Sequence, residues 1–481
     1  MSQEICILPF FGTGHLLPCF QLCNHLTSSN FHVNLLISST LSTSVPSSLY
    51  QHPLFQLTLI PSPPPSPEHH YELAEGLQNI LSNYHRPTLP VCAIVDAMMS
   101  WSINIFQKFK IPTVAFFTAG ACSASMELAV WKAQPFDLKP GEIRFLPGLP
   151  DEMAVTYSDI KRRNHNPPPH PPPQHGFPPP PFGPGKKGPP KDGEEPPWLN
   201  ETQEATALLI NTCDDLERPF LNYIASYVGK PVYGVGPLLP EQYWKTSGSV
   251  LYDSDFRWNR LSSVTEKEVI QWLDSKPHGS VLYVSFGTEV GPTVEEYAEL
   301  AEALESCGKP FIWVIQSGSG RPGPPGFGLV EESGSSKPEG YFPHGLDERV
   351  GSRGMIIRGW APQLLILSHK STGGFLSHCG WNSTLEAIGR GIPVLAWPIR
   401  GDQHYDAKLV VSYLKVGYMV SEDLSKDVGK DDIVMGIKRL MGDEEVKKNV
   451  EVLSDKFRNG FPRSSVDALH DFKDYVNKRF V

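Results

Sequence analysis

The nine residues HCGWNSTLE at 378–386 combine side chains that can accept protons, stack on a ring or hydrogen bond to a ligand. Ser383 and Glu386 also have the spacing of a helix capping box, which requires no ligand. His378 and Cys379 are metal-ligand types, but no second pair of ligands follows at a metal spacing. Cys379 is therefore interpreted as a small core residue, and the stretch as a candidate binding turn.

A glycine pair near the start of the chain, in FGTGHLL at 11–17, resembles the beginning of a dinucleotide-binding fingerprint. Gly12 and Gly14 match GxGxxG, but the third position is Leu17 and no acidic residue ends the next strand to bind a ribose. These two departures disfavour a dehydrogenase. His15 then stands out at the start of the first helix, either packed against a neighbour or chemically active.

Strand and helix patterns alternate along both halves of the chain. Short apolar runs indicate buried strands and helical spacing indicates the connections between them. The strand-like runs fall at 5–10, 31–39, 91–98, 112–118, 205–212 and 230–237, and again at SVLYVSFGT, KPFIWVIQ, MIIRGW, GGFLSHCG and PVLAWP. The pattern predicts an α/β protein with two doubly wound, Rossmann-like domains facing a cleft.

The predicted domains are 1–237 and 265–460, joined by a linker at 238–264 where periodicity is lost, and 461–481 forms a C-terminal helix. Thr265 and Glu268 predict a capping box at the start of the second domain. Residues 167–197, nearly half of them proline, and the Gly/Ser/Pro-rich 317–339 read as inserts. Such composition builds no core, so we expect exposed spacers, although PxxP spacing can also recruit a peptide-binding domain.

Composition excludes several classes of protein. The chain has 481 residues and a net charge of −10, and it has no long basic run of the kind that binds nucleic acid. It has no apolar run of the roughly 20 residues needed to span a membrane, and its start lacks the basic region of a secretory signal. Eight scattered cysteines without a CxxC motif indicate reduced thiols. These features predict a cytoplasmic enzyme.

One ordered pattern outweighs these separate signals. From Trp360 to Gln403 the chain reads WAPQLLILSHKSTGGFLSHCGWNSTLEAIGRGIPVLAWPIRGDQ, with WAPQ, HCGWNS, a following Glu, GIP and a final DQ in order. This stretch resembles the secondary-product box of the plant family 1 UDP-glycosyltransferases, enzymes of plant secondary metabolism. The resemblance extends to His15 and to SFGT at 285–288. It implies a hexosyltransferase with a fold of the GT-B type.

The resemblance implies a site for a UDP-sugar in the second domain. Trp360 would stack on uracil, the Ala361 backbone and the Gln363 amide would read the base edge, and Glu386 would bind the ribose diol. A helix N-terminus would hold the diphosphate, and a carboxylate and an amide would bind sugar hydroxyls. A terminal Gln in this family favours UDP-glucose. The remaining implied donor residues are Thr288, His378, Trp381, Asn382, Ser383, Asp402 and Gln403.

The same resemblance implies the chemistry of transfer. His15 would act as general base on an acceptor hydroxyl, and Asp96 would hold its ring, as in a catalytic triad. Asp96 alone could equally be a strand-end residue that caps a turn. Attack opposite the leaving UDP inverts the anomeric centre. The donor half has no DxD motif, so we expect no metal and no cofactor besides the UDP-sugar.

The N-terminal domain would bind the acceptor, a small phenolic compound such as a flavonoid. Candidates for its apolar wall are Phe10, Phe11, Phe116, Phe117 and Met126. The C-terminal helix would pack back on this domain, and we expect a monomer. Two alternatives remain open: a C-glucosyltransferase on the same fold, and a non-catalytic sugar-nucleotide binder or proline-rich scaffold.

Overall fold

The structure is a computed structural model that describes residues 3–61, 69–84, 89–162, 193–240, 242–243, 262–288, 291–316, 319, 340–458 and 460–480. The proline-rich stretch to residue 192, nearly all of the second insert and most of the expected linker lie outside these residues. The chain divides into two compact units. Unit 1 comprises Met1–Lys132, Pro171–Pro240 and Phe461–Val481, and unit 2 comprises Ala133–His170 and Glu241–Gly460.

The described strands, in chain order, are β1 Glu4–Leu8, β2 His32–Ser38, β3 Phe55–Ile60, β4 Cys92–Asp96, β5 Thr113–Phe117, β6 Ile143–Arg144, β7 Val155–Thr156, β8 Leu208–Ile210, β9 Val232–Gly234, β10 Val281–Ser285, β11 Phe311–Ile315, β12 Gly354–Arg358, β13 Thr372–Ser377, β14 Val394–Ala396 and β15 Gly417–Met419. Most match the predicted apolar runs. Strand β3 was not predicted, because polar Gln56 and Thr58 alternate with its apolar residues and it contains no continuous apolar run.

The described helices are α1 Thr13–Ser28, α2 Ser47–Tyr50, α3 His69–Ser82, α4 Ile103–Lys108, α5 Ala121–Ala133, α6 Tyr157–Lys161, α7 Pro197–Glu201, α8 Asp214–Val228, α9 Glu266–Asp274, α10 Val294–Ser306, α11 Leu346–Val350, α12 Gln363–Ser368, α13 Trp381–Gly389, α14 Gln403–Lys408, α15 Lys430–Gly442, α16 Glu444–Asp455 and α17 Arg463–Phe480. Short 3₁₀ turns include Ala97–Ser102 and Asp151–Met153, and a π-helical turn, Leu409–Tyr413, follows α14.

Unit 1 is built on a parallel sheet of seven strands in the order β3-β2-β1-β4-β5-β8-β9. Strands β1, β4 and β5 are buried along their whole length, as expected of a sheet covered on both faces. The strand order reverses between β1 and β4, which is the position where ligands bind in doubly wound sheets. Helix α17 packs against β9, where Tyr475 donates to the Thr206 carbonyl at 2.9 Å.

Unit 2 repeats this plan with six parallel strands in the order β12-β11-β10-β13-β14-β15. Its core includes the fully buried rings of Trp313, Trp397 and Tyr297. Helix α9 begins with the predicted capping box, in which Thr265 and Glu268 bond reciprocally. The order here reverses between β10 and β13. Both units therefore have the predicted Rossmann-like organisation.

Two features differ from the sequence expectation. Residues 133–162 belong to unit 2, whereas the sequence analysis assigns 1–237 to the first domain. The end of the predicted proline-rich spacer is also ordered, because Pro197 is the first residue of α7. Proline suits a first helical position, since its φ is preset and it has no N–H that needs a partner there.

Candidate active site

One group of predicted site residues lies in unit 1, where β1 and β4 end side by side. His15 stands in the first turn of α1, and its side chain is 27% exposed. Its Nδ1 lies 2.8 Å from Oδ2 of Asp96, the last residue of β4, whose side chain is 1% exposed. The strand order thus brings together two predicted residues that are 81 positions apart in sequence.

The two carboxylate oxygens of Asp96 have different partners. Oδ1 accepts a hydrogen bond from the Met98 N–H at 2.9 Å and so caps the 3₁₀ turn Ala97–Ser102. Oδ2 remains for His15. A carboxylate can only accept hydrogen bonds, so the Nδ1 atom that faces Asp96 must carry the proton. A neutral imidazole has one N–H, and its lone pair is therefore on Nε2. In this arrangement Nε2 of His15 is the nitrogen that can accept a proton.

Thr118 is a member of this cluster that the sequence analysis missed. Its Oγ1 lies 2.9 Å from His15 Nδ1. Its carbonyl accepts from Asn211 Nδ2 at 3.1 Å, and Asn211 Oδ1 accepts from the Leu238 N–H at 2.8 Å. A polar residue directly after the buried strand β5 was the available signal, because β5 neighbours β4.

The five residues predicted to form an apolar wall differ in their exposure. Phe10 and Phe11 are half-buried, and the Phe10 ring meets the His15 ring edge-on at 5.0 Å between centroids. Phe116 and Met126 have no exposed surface, so their assignment to a binding wall is wrong; they are core residues. Phe117 packs edge-on against Trp198.

A second group of predicted site residues lies in unit 2, where β12 leads through Gly359 to Trp360 and Ala361. Trp360 is half-buried and Ala361 is 6% exposed. Gly359 has φ 84°, a left-handed conformation that side chains with a Cβ rarely adopt. Gln363 is the first residue of α12. The turn presents the three predicted residues in succession.

Gln363 connects this turn to helix α13. Its Nε2 donates to Ser383 Oγ at 3.0 Å and to Glu386 Oε2 at 2.6 Å, and its Oε1 accepts from the Tyr283 hydroxyl at 3.1 Å. The capping-box interpretation of Ser383 and Glu386 is wrong, because α13 begins two residues earlier at Trp381 with Gly380 as N-cap. The two side chains instead share one amide.

Burial changes the protonation of Glu386. The carboxyl group is almost fully buried, and desolvation raises its pKa to about 7, although the Gln363 hydrogen bond opposes the shift. Tyr243 donates to the Glu386 carbonyl. Near neutral pH this group is therefore divided between an acid and a carboxylate.

His378 follows β13 directly and is held between two glycines. A Cβ at Gly287 or at Gly380 would lie 2.8 or 2.5 Å from His378 Nε2, closer than real contacts allow. Burial lowers the pKa of His378 to about 4, so its ring is neutral at pH 7. Thr288 follows Gly287 and is exposed. The ring can act on an anion as a neutral N–H donor.

The turn between His378 and α13 is strained. Cys379 is fully buried with φ 62°, and its N–H donates to Ser377 Oγ at 3.1 Å. Residues other than glycine rarely adopt this left-handed backbone conformation, and such strain concentrates at functional sites. Trp381, 4% exposed, and the half-buried Asn382 open α13. The first N–H groups of α13 suit an anion.

Asp402 and Gln403 mark the start of α14. Gln403 is 8% exposed, and its Oε1 accepts from the backbone N–H groups of Ile399 and Arg400 at 3.0 and 3.1 Å. These two donors fix the orientation of the amide, so Nε2 is its end for a ligand. Asp402 is partly exposed beside it.

Within the part of the chain that the structure describes, no three His, Cys, Asp or Glu side chains cluster as a metal site. Among the described helices none is long and apolar enough to cross a membrane.

Comparison with known proteins gives consistent similarities. Residues 260–467 match the model of the family described as UDP-glucoronosyl and UDP-glucosyl transferase. UDP-glucosyl transferase 73M2 of Saponaria officinalis is 31% identical over 77% of this chain and 70% of its own. UDP-glycosyltransferase 73B4 of Arabidopsis thaliana is 29% identical over 76% and 69%. UDP-glucose flavonoid 3-O-glucosyltransferase 7 of Fragaria ananassa is 29% identical over 87% and 81%.

Solved structures show the same fold. A complex of Glycyrrhiza uralensis UGT73P12 with glycyrrhetinic acid 3-O-monoglucuronide aligns with TM-score 0.74 at 22% identity, over 99% of this chain and 96% of its own. Medicago truncatula UGT71G1 complexed with UDP-glucose aligns with TM-score 0.71 at 22% identity, over 99% and 98%. The two Rossmann-like units are those of the GT-B fold.

Proposed function

We infer the reaction from one premise: the chain belongs to the plant UDP-glycosyltransferase family and is a hexosyltransferase that uses a UDP-sugar. We propose that it transfers glucose from UDP-glucose to a hydroxyl of a small phenolic acceptor such as a flavonoid, with inversion. Relatives named as flavonoid and scopoletin glucosyltransferases support this acceptor class. The observation that carries the proposal is the contact between His15 and Asp96.

The acceptor hydroxyl loses its proton to Nε2 of His15 as its oxygen attacks the anomeric carbon. The bond from that carbon to the UDP oxygen breaks, and its electron pair leaves with UDP. Asp96 Oδ2 keeps Nδ1 protonated and stabilises the imidazolium that forms. A positioned base of this kind contributes roughly 10²–10⁴-fold in rate.

In unit 2 we propose that Trp360 stacks on uracil, the Ala361 backbone reads the base edge and the Glu386 carboxylate accepts from the ribose diol. The Gln363 amide, which the sequence analysis also placed on the base, orients that carboxylate. The first N–H groups of α13, with Asn382, Ser383, Thr288 and neutral His378, receive the charge of the leaving diphosphate. These are neutral donors, and we propose that they act without a metal.

The sugar specificity is proposed to come from Trp381, Asp402 and Gln403. The backbone donors at Ile399 and Arg400 direct the Gln403 NH₂ towards a ligand. A buried donor left without its acceptor costs about 1–3 kcal/mol. That penalty would favour a sugar whose hydroxyl meets the amide, and we propose glucose.

We also propose that the protein works as a monomer in the cytosol. All eight cysteines carry free thiols, and seven of them are buried, which suits a reducing compartment.

The test is a product assay with purified protein, UDP-glucose and a panel of flavonoids and simple phenols, with and without EDTA. We expect one added hexose by mass spectrometry, unaffected by EDTA and lost in His15→Ala. Loss of activity in EDTA that is restored by a divalent cation would contradict metal-free transfer. Acid-stable products would identify C-glucosylation instead of O-glucosylation.

Replacing 167–192 with a short Gly-Ser linker tests the scaffold alternative and leaves α7 intact. Retained transfer would show that the proline-rich stretch is not part of the catalytic machinery. Binding of UDP-glucose without transfer to any acceptor, in wild type, would instead favour a sugar-nucleotide binder.

A further inference from the structure

A segment from the first half of the sequence belongs to the unit that carries the proposed donor-binding residues. Residues 151–162, which we call the strap, comprise the turn Asp151–Met153, strand β7, helix α6 and Arg162. They belong to unit 2. The turn packs against the π-helical turn Leu409–Tyr413 that continues α14, and Met153 is completely buried. The strap therefore contacts the helical segment that begins at Gln403.

One contact of the strap is an ion pair with little solvent access. Lys408 Nζ lies 2.8 Å from Asp159 Oδ2, and the side chains are 10% and 18% exposed. The same oxygen accepts from the backbone N–H and the hydroxyl of Thr156, at 2.8 and 2.9 Å, within the capping box of α6. The carboxylate is thus fixed by its own helix, and the last residue of α14 is held to it.

Two further contacts tie the strap to the same region. The Arg162 guanidinium lies over the Tyr405 ring, 4.7 Å from its centroid. Ser158 Oγ accepts from the Leu424 N–H at 3.0 Å. Contacts at Tyr405, Lys408 and the following turn hold α14 along its length.

The Lys408–Asp159 ion pair is not explained well by a contribution to stability alone. Removing one partner of a buried ion pair is strongly destabilising, but replacing both by apolar groups is often neutral or stabilising, so a retained pair can serve to specify geometry. Here the geometry concerned is that of α14, whose first residue is Gln403 and whose N-cap is Asp402.

We propose that the strap is a positioning element of the donor site: Asp159, acting through Lys408, sets the position of α14 and thereby of Asp402 and Gln403 on the sugar. This inference rests on the proposed function, because it assumes that these two residues bind the sugar of the donor. Neither Asp159 nor Lys408 touches substrate in this account.

The experiment compares Lys408→Met, Asp159→Asn and the double variant Lys408→Met/Asp159→Leu with wild type in the full chain. Calorimetry gives the Kd values of UDP and UDP-glucose, and thermal unfolding gives Tm. UDP reports on the nucleotide site without the sugar. Lys447→Met is the matched control, because Lys447 forms an exposed pair with Glu444 in the same unit.

We expect UDP to bind every variant within twofold of wild type, while the Kd of UDP-glucose rises about tenfold in both single variants. The double variant should recover the Tm of wild type but not its affinity for UDP-glucose. Lys447→Met should change neither.

If the double variant recovers both Tm and UDP-glucose affinity, the strap is only structural and the inference is overturned. If UDP and UDP-glucose weaken equally, the strap supports the whole unit rather than α14, which also overturns it. Failure of wild type to bind UDP-glucose would overturn the proposed function itself, and is seen before any variant is measured.

Discussion

The amide of Gln363 lies 2.6 Å from the carboxylate of Glu386, across the gap between the turn after β12 and helix α13. One residue therefore connects the proposed base-binding turn with the proposed ribose acceptor. The same amide reaches Ser383 and Tyr283, so the position of Glu386 is fixed before any nucleotide binds. The protonation state of Glu386 then decides whether its carboxyl group can accept hydrogen bonds from the ribose hydroxyls.

Binding of UDP-glucose should depend on pH through Glu386. Its raised pKa, about 7, means that the carboxylate fraction grows as pH rises from 6 to 8. Affinity should rise over this range, by at most tenfold per unit, and then level off. His378 does not interfere, because its pKa is about 4. Calorimetry between pH 5.5 and 8.5 measures this.

The variant Glu386→Gln should bind UDP-glucose about 10–100-fold more weakly at pH 8 and lose the pH dependence, since hydrogen bonds to a charged group are worth about 1.5–3 kcal/mol. Glu444→Gln, an exposed carboxyl in unit 2, serves as control. A flat profile in wild type would show that the ribose does not rely on this carboxylate.

Substitution of Gly380 by Ala should disturb the residues that we propose bind the diphosphate. The new Cβ would lie 2.5 Å from His378 Nε2, and φ at Gly380 is −57°, so the effect is steric rather than conformational. We expect a loss of about 1–3 kcal/mol in stability and a raised KM for the donor. Gly442→Ala, where nothing lies within 4 Å, should be neutral or slightly stabilising. Equal behaviour of the two variants would exclude the clash.

The His15 cluster should show graded effects on kcat. His15→Ala removes the proposed base and should lower kcat roughly 10²–10⁴-fold. Asp96→Asn should approach this loss, because an amide no longer enforces N–H at Nδ1. Thr118→Val removes one hydrogen bond, worth about 1 kcal/mol or roughly fivefold, while Thr118→Ser retains it. Donor Kd should stay constant throughout, and a donor-binding defect in these variants would argue against the assigned roles.

The variant Gln403→Glu distinguishes the role of Oε1 of this side chain from the role of its NH₂ group. The carboxylate still accepts from the N–H groups of Ile399 and Arg400, but it replaces the NH₂ donor by an oxygen. We expect an unchanged Tm and a rise in KM for UDP-glucose of about tenfold or more, consistent with about 1–3 kcal/mol for a mispaired buried group. Steady-state kinetics and thermal unfolding decide it; a lower Tm with unchanged KM would indicate a purely structural role.

Glu217 should make unit 1 less stable as pH rises from 4.5 to 7. Its carboxyl accepts from the N–H groups of Ala121 and Cys122, and burial raises its pKa from 4.5 to about 7. In this window the unfolded chain has released the proton that the folded chain still holds, so stability falls by up to about 1.4 kcal/mol per pH unit. The difference in unfolding free energy between wild type and Glu217→Gln should therefore shift by on the order of 3 kcal/mol across the window. A constant difference would contradict it.

The sequence predicts buried strands and helix caps correctly where a few neighbouring residues determine them. Buried strands such as Cys92–Asp96 and the Thr265–Glu268 capping box were readable because alternation, burial and cap spacing act within a few residues. The pairing of His15 with Asp96 was inferred from resemblance, and the order of β1 and β4 accounts for it physically.

Other features depend on contacts that no local pattern encodes. Thr118 reaches His15 only because β5 lies beside β4, and Asn211 supports it from the position directly after β8, far along the chain. Ser383 has a capping-box spacing, but Gly380 places the helix start earlier. The strap joins unit 2 through an ion pair whose partners are 249 positions apart. The types of these residues are visible in the sequence, but the contacts that pair them are not.

The packing of α17 on β9 has a consequence for synthesis on the ribosome. Strand β9 is an edge of the seven-stranded sheet, and the helix that covers it follows more than two hundred residues later. At about 5–20 residues per second, that delay is roughly 10–50 seconds. During this interval the nascent chain exposes the Tyr233 side of β9, which later packs against Phe472 and Tyr475 of the helix. Holding chaperones should therefore engage the emerging protein before Arg463–Phe480 is made.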